Sequence, residues 1–354
     1  MVEILKLGNK TVVINGKIIS LFKKGILLRQ LYYGGYEDFD NANGGTWKKY
    51  IHIPITTVPH EEAVYKLVID SKNVSLYSAD GTLKTSNNIA SEFWSLVRAD
   101  GYDVRVFDHL FRQLYFWIET FDYKNQYAEI WIKLPANSKE LNVAFANECA
   151  DKSLYDNPNE VFIFFDDFNT FDSSKWATNT DTFSIQDSII KFWGSWNEYN
   201  LYFNTKQKFA SPVVIIGRWK IGQVGADTDL FVGFRTTENE AFVKDGYDCI
   251  YDGDRTSYVY SQKRIVKPGK VLKLGGKVTD TNWHKFRIIF RSDEIRFWDD
   301  LLGEMSVSNE GLPEFYLSIG GDTDSSSRFG YIDYIAMMED IDPASFDTPT
   351  IYEF

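Results

Sequence analysis

The chain has 354 residues, of which 44% are hydrophobic and 25% charged, and these proportions exclude wholesale disorder and favour more than one folded core. Its 50 acidic residues outnumber 38 basic ones, and the net charge of −12 argues against nucleic acid as a partner, because binding to phosphates needs clustered cations. Aromatic residues make up 16% of the chain, which favours strands over helices.

Neither a membrane segment nor a secretory leader is apparent in the sequence. No run of about 18 apolar residues is present, and the N-terminus lacks the basic and apolar regions of a signal peptide. The two cysteines, Cys149 and Cys249, are too few and too distant for a disulfide framework or a zinc site. We therefore expect no membrane insertion and no signal peptide.

A hairpin arm is predicted at the start of the chain. Residues 11–14 and 17–21 are rich in β-branched side chains and flank Asn15-Gly16, a pair that accepts the positive φ angles of a two-residue hairpin turn. Because so short a segment buries little core, we interpret residues 1–45 as a β-hairpin arm and linker. Such an arm can add strands to a neighbouring subunit.

Two strand-rich blocks follow the arm, separated by the turn-forming residues Asp156-Asn157-Pro158. Short apolar runs with turns between them are typical of sandwiches and barrels, and only residues 90–97 favour a helix. The sequence therefore predicts an all-β fold. The predicted domains are the arm and linker at 1–45, a β-sandwich over 46–157, a second β-sandwich over 161–340 and a C-terminal tail over 341–354.

Several motifs occur in a fixed order in the first block. They are Trp47 with the apolar run 51–55, D-G-Y-D-V-R-V at 100–106, I-W-I-K-L-P at 130–135, and Ala146-Asn147. In this order and spacing they resemble the 2341 family of domains of unknown function. The resemblance implies a β-sandwich and supplies no catalytic residues.

Three further motifs mark the second block. Residues 164–169 read F-F-D-D-F-N and precede Lys175-Trp176, residues 283–288 read W-H-K-F-R-I, and residues 331–335 read Y-I-D-Y-I. In this order they resemble concanavalin A-like jelly rolls, in particular the laminin-G-like and laminarinase-like lectin domains. The resemblance implies a jelly-roll sandwich.

The hydrolases of that superfamily carry an E-x-D-x-x-E strand, because retaining chemistry needs two carboxyl groups about 5–5.5 Å apart. No such triplet occurs where the resemblance requires it. The nearest acidic cluster, Asp245, Asp248, Asp252 and Asp254, contains no Glu, and it suits either a sugar or calcium role or a solvated loop. We therefore predict no catalytic residue, and we interpret His284 as structural.

The resemblance also implies a structural calcium ion that joins the first and last strands of the jelly roll. Asp333 would supply a hard oxygen ligand, with help from the segment Asp166-Asp167. We take Asp167 and Asp333 as the candidate metal ligands. The alternative is that Asp333 only forms hydrogen bonds with its neighbours.

A run of aromatic and polar residues, F-W-G-S-W-N-E-Y-N at 192–200, suits carbohydrate recognition. The C–H faces of a sugar stack on rings, and its hydroxyls need directional polar partners. We predict a sugar-facing surface at Trp193, Trp196 and Tyr199, with Asp248 and Asp252 as polar partners. Strand alternation would instead bury some of these rings.

These features together predict a non-enzymatic, glycan-binding adhesion or structural protein. We expect it at the surface of a virus particle, of a phage or archaeal virus, or at a cell surface. Its expected partners are a glycan or polysaccharide, further copies of itself, and other virion subunits bound through the arm. Two alternatives stay open: a glycoside hydrolase with a diverged jelly-roll active site, and a scaffold without sugar affinity.

Overall fold

The computed structural model divides the chain into two compact units, Met1–Val161 with Ile341–Phe354, and Phe162–Asp340. The structure describes residues 5–7, 11–14, 17–20, 29–31, 39–194, 201–224, 228–241, 246–252, 262–267, 270–277, 280–309, 312–323 and 328–354.

The predicted arm contains an antiparallel sheet of four short strands in sequence order, which is more than the single hairpin expected. The strands are β1 (Leu5–Leu7), β2 (Thr11–Ile14), β3 (Lys17–Ser20) and β4 (Arg29–Leu31). Ile14 lies opposite Lys17, so β2 and β3 pair in the register that the Asn-Gly hairpin requires.

The rest of the first unit is a sandwich of two five-stranded antiparallel sheets. Its elements are β5 (Lys49–Thr57), β6 (Ala63–Ile69), β7 (Val74–Ser78), β8 (Leu83–Asn87), α1 (Ala90–Leu96), β9 (Arg105–Asp108), β10 (Phe116–Asp122), β11 (Tyr127–Leu134), β12 (Glu140–Phe145), α2 (Pro158–Val161), β28 (Ser345–Phe346) and β29 (Thr350–Glu353). One sheet has the order β10-β11-β6-β7-β8, and the other has the order β28-β5-β12-β9 with β29 also on β5.

The two sheets enclose one apolar core. Strand β5 shows how the sequence produces it, because Ile51, Ile53 and Ile55 are buried whereas His52 and Pro54 between them are only half-buried. This period of two is expected of a strand with one face in a core. No helix in the part of the chain that the structure describes is long and apolar enough to cross a membrane.

The C-terminal segment completes the first sandwich and is not a separate tail. Strands β28 and β29 pair with β5 on the edge that β12 leaves open. The ring of Phe346 lies 5.0 Å from that of Tyr65, and the ring of Phe354 lies 4.8 Å from that of Tyr50. The domain predicted over 46–157 therefore lacks two of the strands that the sandwich contains.

The D-G-Y-D-V-R-V motif has a structural role in the first unit. The carboxylate of Asp103 accepts a hydrogen bond of 2.8 Å from the backbone N–H of Ala146. Arg105 is fully buried, its guanidinium lies 4.8 Å from the ring centre of Trp47, and it pairs with Asp40 at 2.7 Å. Charged groups withdrawn from water need such partners, so these residues fix neighbouring loops.

The second unit is an antiparallel jelly-roll sandwich, as predicted. Its strands are β13 (Phe164–Asp166), β14 (Trp176–Thr178), β15 (Phe183–Gln186), β16 (Ile189–Phe192), β17 (Phe203–Ala210), β18 (Val213–Ile221), β19 (Thr228–Arg235), β20 (Tyr247–Asp252), β21 (Gln262–Lys267), β22 (Lys270–Lys277), β23 (His284–Phe290), β24 (Glu294–Asp299), β25 (Gly303–Ser308), β26 (Glu314–Thr323) and β27 (Gly330–Glu339). The eight-stranded sheet has the order β15-β16-β27-β18-β23-β24-β25 with β13 on β27, and the seven-stranded sheet has the order β14-β17-β26-β19-β20-β21-β22.

Aromatic side chains from both sheets fill the core of the second unit. The rings of Phe234 and Phe290 stack 4.1 Å apart, and those of Trp219 and Phe286 lie 4.2 Å apart. Gly217 lies opposite Phe286, and a Cβ there would approach 2.6 Å from a backbone oxygen and collide with that ring. A glycine at this position therefore leaves the space that the phenylalanine occupies.

Candidate functional site

The outward face of the eight-stranded sheet carries a row of cationic and aromatic side chains. On β18 the core side chains Ile215 and Trp219 alternate with outward ones, so Lys220 points away from the core. Tyr331 of β27 lies opposite Lys220 on one side and opposite Lys191 of β16 on the other. Strand pairing thus brings together three outward residues that are far apart in the sequence.

The cations of this row lie over ring faces. The ammonium of Lys220 is 4.8 Å from the ring centre of Trp283 and 4.9 Å from that of Tyr331. The guanidinium of Arg218 is 5.2 Å from the ring centre of Trp283. Arg218 and Lys220 are two residues apart on β18, so their side chains lie on the same face of the sheet. Such cation–π contacts stabilise each cation and hold the rings upright on the sheet.

The row continues to the end of β16. The ammonium of Lys191 lies 3.3 Å from the ring centre of Phe329 and 6.0 Å from that of Trp193. All the residues concerned are half-buried, so each still presents part of its surface to solvent. We call the set the cation–aromatic row, and its members are Lys191, Trp193, Arg218, Lys220, Trp283, Phe329 and Tyr331.

One carboxylate balances part of this charge. Asp333 lies 3.2 Å from the guanidinium of Arg218. Burial raises the pKa of Asp333, and the neighbouring Arg218 partly opposes that rise. Within the described ranges, neither Lys191 nor Lys220 forms an ion pair with a carboxylate, so the row has an excess of positive charge.

The structure brings one of the three predicted sugar-facing rings into the row. Trp193 contacts Lys191, and its backbone N–H donates to the carbonyl of Thr182 at 3.1 Å. Trp196 and Tyr199 lie outside the described residues, and their role stays a prediction. Trp283, Phe329 and Tyr331 were not predicted as site residues, because they come together only through the pairing of β16, β27, β18 and β23.

Asp248 does not lie on an open surface. It is fully buried on β20 and paired with Arg235 of β19, which is also fully buried. A Cβ at Gly233, opposite Asp248, would lie 2.6 Å from the Arg235 guanidinium, so the glycine leaves room for this pair. Burial and pairing argue against the predicted sugar contact of Asp248, whereas Asp252 has no described side chain and stays a prediction.

The register also aligns three aspartates on the seven-stranded sheet. Asp229 of β19 lies opposite Asp252 of β20 on one side and opposite Asp322 of β26 on the other. Directly opposite positions on neighbouring strands have Cβ atoms about 4.5–5.5 Å apart. The sequence gives no sign of this alignment, because each aspartate comes from a different strand.

The predicted calcium ligands have protein partners of their own. Asp167 accepts a hydrogen bond of 2.6 Å from the amide of Asn169, and Asp333 is paired with Arg218. In the portion that the structure describes, no three His, Cys, Asp or Glu side chains are arranged to hold a metal ion. Asp167 is close enough to Asp333 to raise its pKa, so the structure brings the two predicted ligands near each other, whereas the Arg218 guanidinium beside Asp333 repels a divalent cation. The calcium site stays a prediction.

Both ring nitrogens of His284 face carboxylates. Nδ1 lies 2.7 Å from Asp300, and Nε2 lies 2.8 Å from Asp280. Burial lowers the pKa of His284, but the hydrogen bonds to the two aspartates outweigh this effect and hold the pKa above its ordinary value. His284 thus links the segment before β23 to the turn after β24, and its structural role stays a prediction.

Residues 100–179 match the model of a family described as Domain of unknown function (DUF2341). The match begins at the D-G-Y-D motif and continues beyond Val161, where the first unit ends, into the second unit. The family resemblance expected over 46–157 is therefore supported from residue 100 onward. A search of curated proteins found no match.

Several solved structures are similar to this chain at low identity. An uncharacterised protein from Mycobacterium paratuberculosis is 15% identical, with a TM-score of 0.38 over 50% of this chain and 100% of that one. A glycosyl hydrolase family 16 protein from Mycobacterium smegmatis is 12% identical, with a TM-score of 0.37 over 50% and 99%. A beta-1,3-glucanase from Mycobacterium marinum is 13% identical, with a TM-score of 0.36 over 50% and 98%. Sequence identities and TM-scores this low do not identify a function.

Proposed function

We propose that the second sandwich binds carbohydrate without hydrolysing it, and that the protein acts in adhesion or as a structural component. The observation that carries this proposal is the cation–aromatic row on the eight-stranded sheet. Its rings offer apolar faces and edges to sugar C–H groups, and its cations offer N–H donors to sugar oxygens. A surface with both kinds of group matches the mixed chemistry of a glycan.

The row is also held in place before any ligand arrives. Lys220 is confined between the rings of Trp283 and Tyr331, and those rings stand on or beside strands of a closed sandwich. Side chains that are already ordered lose little conformational entropy on binding. Because each contact between a protein and a sugar is weak, a row that is already ordered can bind a sugar chain with a small entropic cost.

We expect no hydrolysis because of where the carboxylates of the second sandwich lie. Asp248 is committed to the buried Arg235, and an ion-paired aspartate withdrawn from solvent is poorly placed to attack a sugar or protonate a leaving group. The hydrolase alternative has its best support in Asp229, which is also buried but lies in register with aspartates on both sides. That alternative is therefore tested at Asp229.

Binding is tested with the full chain on a glycan array, using two matched tryptophan variants. Trp283 and Trp298 are both half-buried tryptophans at the eight-stranded sheet. The guanidinium of Arg218 lies 5.2 Å from the ring centre of Trp283, and that of Arg287 lies 5.1 Å from the ring centre of Trp298. Trp283→Ala should lose the glycan signal that the wild type and Trp298→Ala retain, with all three proteins melting cooperatively. Wild-type binding by Trp283→Ala would remove the row from the proposal.

Hydrolysis is measured separately as the release of reducing sugars from laminarin, xylan and agar. We expect no release. Turnover that disappears in Asp229→Asn but persists in Trp283→Ala would establish the hydrolase and refute the proposal. If the protein neither binds a glycan on the array nor releases reducing sugars, the hypothesis of a scaffold without sugar affinity remains.

We propose that this binding takes place at the surface of a virus particle or a cell. The open edges of a small sheet such as β1–β4 are sites where another chain can add a strand. We therefore expect the N-terminal arm to join further copies of the chain or other virion subunits, while the second sandwich contacts the glycan.

A further inference from the structure

We infer that the glycan bound by the cation–aromatic row is anionic, a polysaccharide that carries carboxylate or sulfate groups. This inference rests on the proposed function and specifies its ligand class. Neutral glucans need no cations, because their hydroxyls are satisfied by neutral donors and acceptors. Among the described residues, Lys191 and Lys220 of the row have no carboxylate partner, and an anionic chain would supply one.

The local charge opposes that of the whole protein. The chain has a net charge of −12, yet Lys191, Arg218 and Lys220 come together on this sheet, where Asp333 pairs with Arg218 and Asp167 lies near Asp333. The three cations repel one another, and a bound anion offsets that repulsion. The arrangement therefore favours a ligand that supplies negative charge.

The cations are spaced for an extended ligand. Lys191 and Lys220 lie on either side of Tyr331, two strand spacings or about 10 Å apart. Arg218 is two residues from Lys220 along β18, a further step of about 7 Å. A single small anion cannot reach all three positions, whereas a chain with repeated anionic groups can.

The rings direct the cations towards solvent. Trp283 and Tyr331 cover two sides of the Lys220 ammonium and displace water from them. A partly desolvated ammonium gains more from an approaching anion than a fully hydrated one does. Stacking therefore prepares Lys220 for a charged partner and adds ring edges for the sugar backbone.

Two pairs of polymers isolate the charge of the ligand. Polygalacturonate is compared with its fully methyl-esterified form, and dextran sulfate with dextran, because each pair shares one backbone. Affinity electrophoresis of the full chain should show retardation by the charged member of a pair and not by the neutral one. The retardation should fall as salt is added, since ion pairing at an exposed surface is screened.

Charge variants locate the effect on the row. Lys191→Gln and Lys220→Gln should each weaken binding about two- to fivefold, and the double variant by roughly the product, as expected for partly exposed ion pairs. Lys208→Gln is the matched control, because Lys208 lies on the seven-stranded sheet and is already paired with Glu314 at 2.8 Å. It should bind as the wild type does.

The possible results distinguish a failure of the anionic ligand from a failure of carbohydrate binding itself. Equal binding of neutral and charged polymers, unchanged in Lys220→Gln, would overturn the anionic ligand and leave carbohydrate binding intact. Binding of oligothymidylate as tight as that of dextran sulfate would overturn the inference in favour of nucleic acid. No binding to any polysaccharide would overturn the proposed function itself.

Discussion

Replacing Asp248 with Asn removes one charge of a buried pair with almost no change in shape. Asp248 and Arg235 are both 0% exposed, so the variant removes a buried carboxylate charge that faces the guanidinium. Removing one partner of a buried ion pair costs about 3–5 kcal/mol. At about 1.4 kcal/mol per factor of ten, this is roughly a hundredfold to several-thousandfold change in the unfolding equilibrium.

Hydrogen exchange followed by mass spectrometry measures this change in the full chain. Amides of β19 and β20 should lose protection in Asp248→Asn, while those of β11 in the first unit keep theirs. Glu314→Gln is the control, because its pair with Lys208 is exposed and worth at most about 1 kcal/mol. Replacing Arg235 and Asp248 together by Met and Leu should restore much of the stability. Equal, small effects of Asp248→Asn and Glu314→Gln would refute the argument that the pair is desolvated.

Four further predictions concern stability and assembly. Deleting residues 1–38, which keeps Asp40 beside the buried Arg105 and Phe39 in its apolar cluster, should leave two cooperative melting transitions but abolish oligomers in size-exclusion chromatography, and loss of the transition of the first unit would instead make the arm part of that sandwich. His284 has a raised pKa, so it contributes stability that is complete below pH 6.5 and is lost as pH rises through the folded pKa; the difference in melting temperature between wild type and His284→Gln should shrink accordingly from pH 6 to pH 9. Calcium and chelator should give the same melting temperature, because Asp333 already has an arginine partner, and a rise with calcium that Asp333→Asn abolishes would restore the metal site. Gly217→Ala should destabilise the second sandwich by about 1–3 kcal/mol through its clash with Phe286, as measured by urea unfolding.

The strands of both sandwiches were predictable because their sequences alternate. In β5 and β24, buried residues recur at every second position, and that period belongs to a strand with one face in a core. The last strands were not predictable in the same way. Strand β28 has only two residues, too few to display any period, and its place depends on a distant edge of β5.

Site residues were harder to predict than strands, for a physical reason. Residues that lie close together in the chain, such as the aromatic run at 192–200, are visible as a group in the sequence, whereas a sheet assembles its surface across strands. Lys191, Lys220 and Tyr331 become neighbours only through the register of β16, β27 and β18. Asp248 looked accessible because acidic residues usually are, and its partner Arg235 lies on another strand.

The return of the C-terminus to β5 makes the second sandwich an insertion within the first. During synthesis, β5 is among the first strands of its domain to emerge, yet its edge stays open until β28 and β29 have been made. The inserted sandwich is complete by Asp340 and can fold before its host does. A chain that is cut short near its end would therefore lose order in the N-terminal domain first, with the exposed edge of β5 as the point where such fragments aggregate.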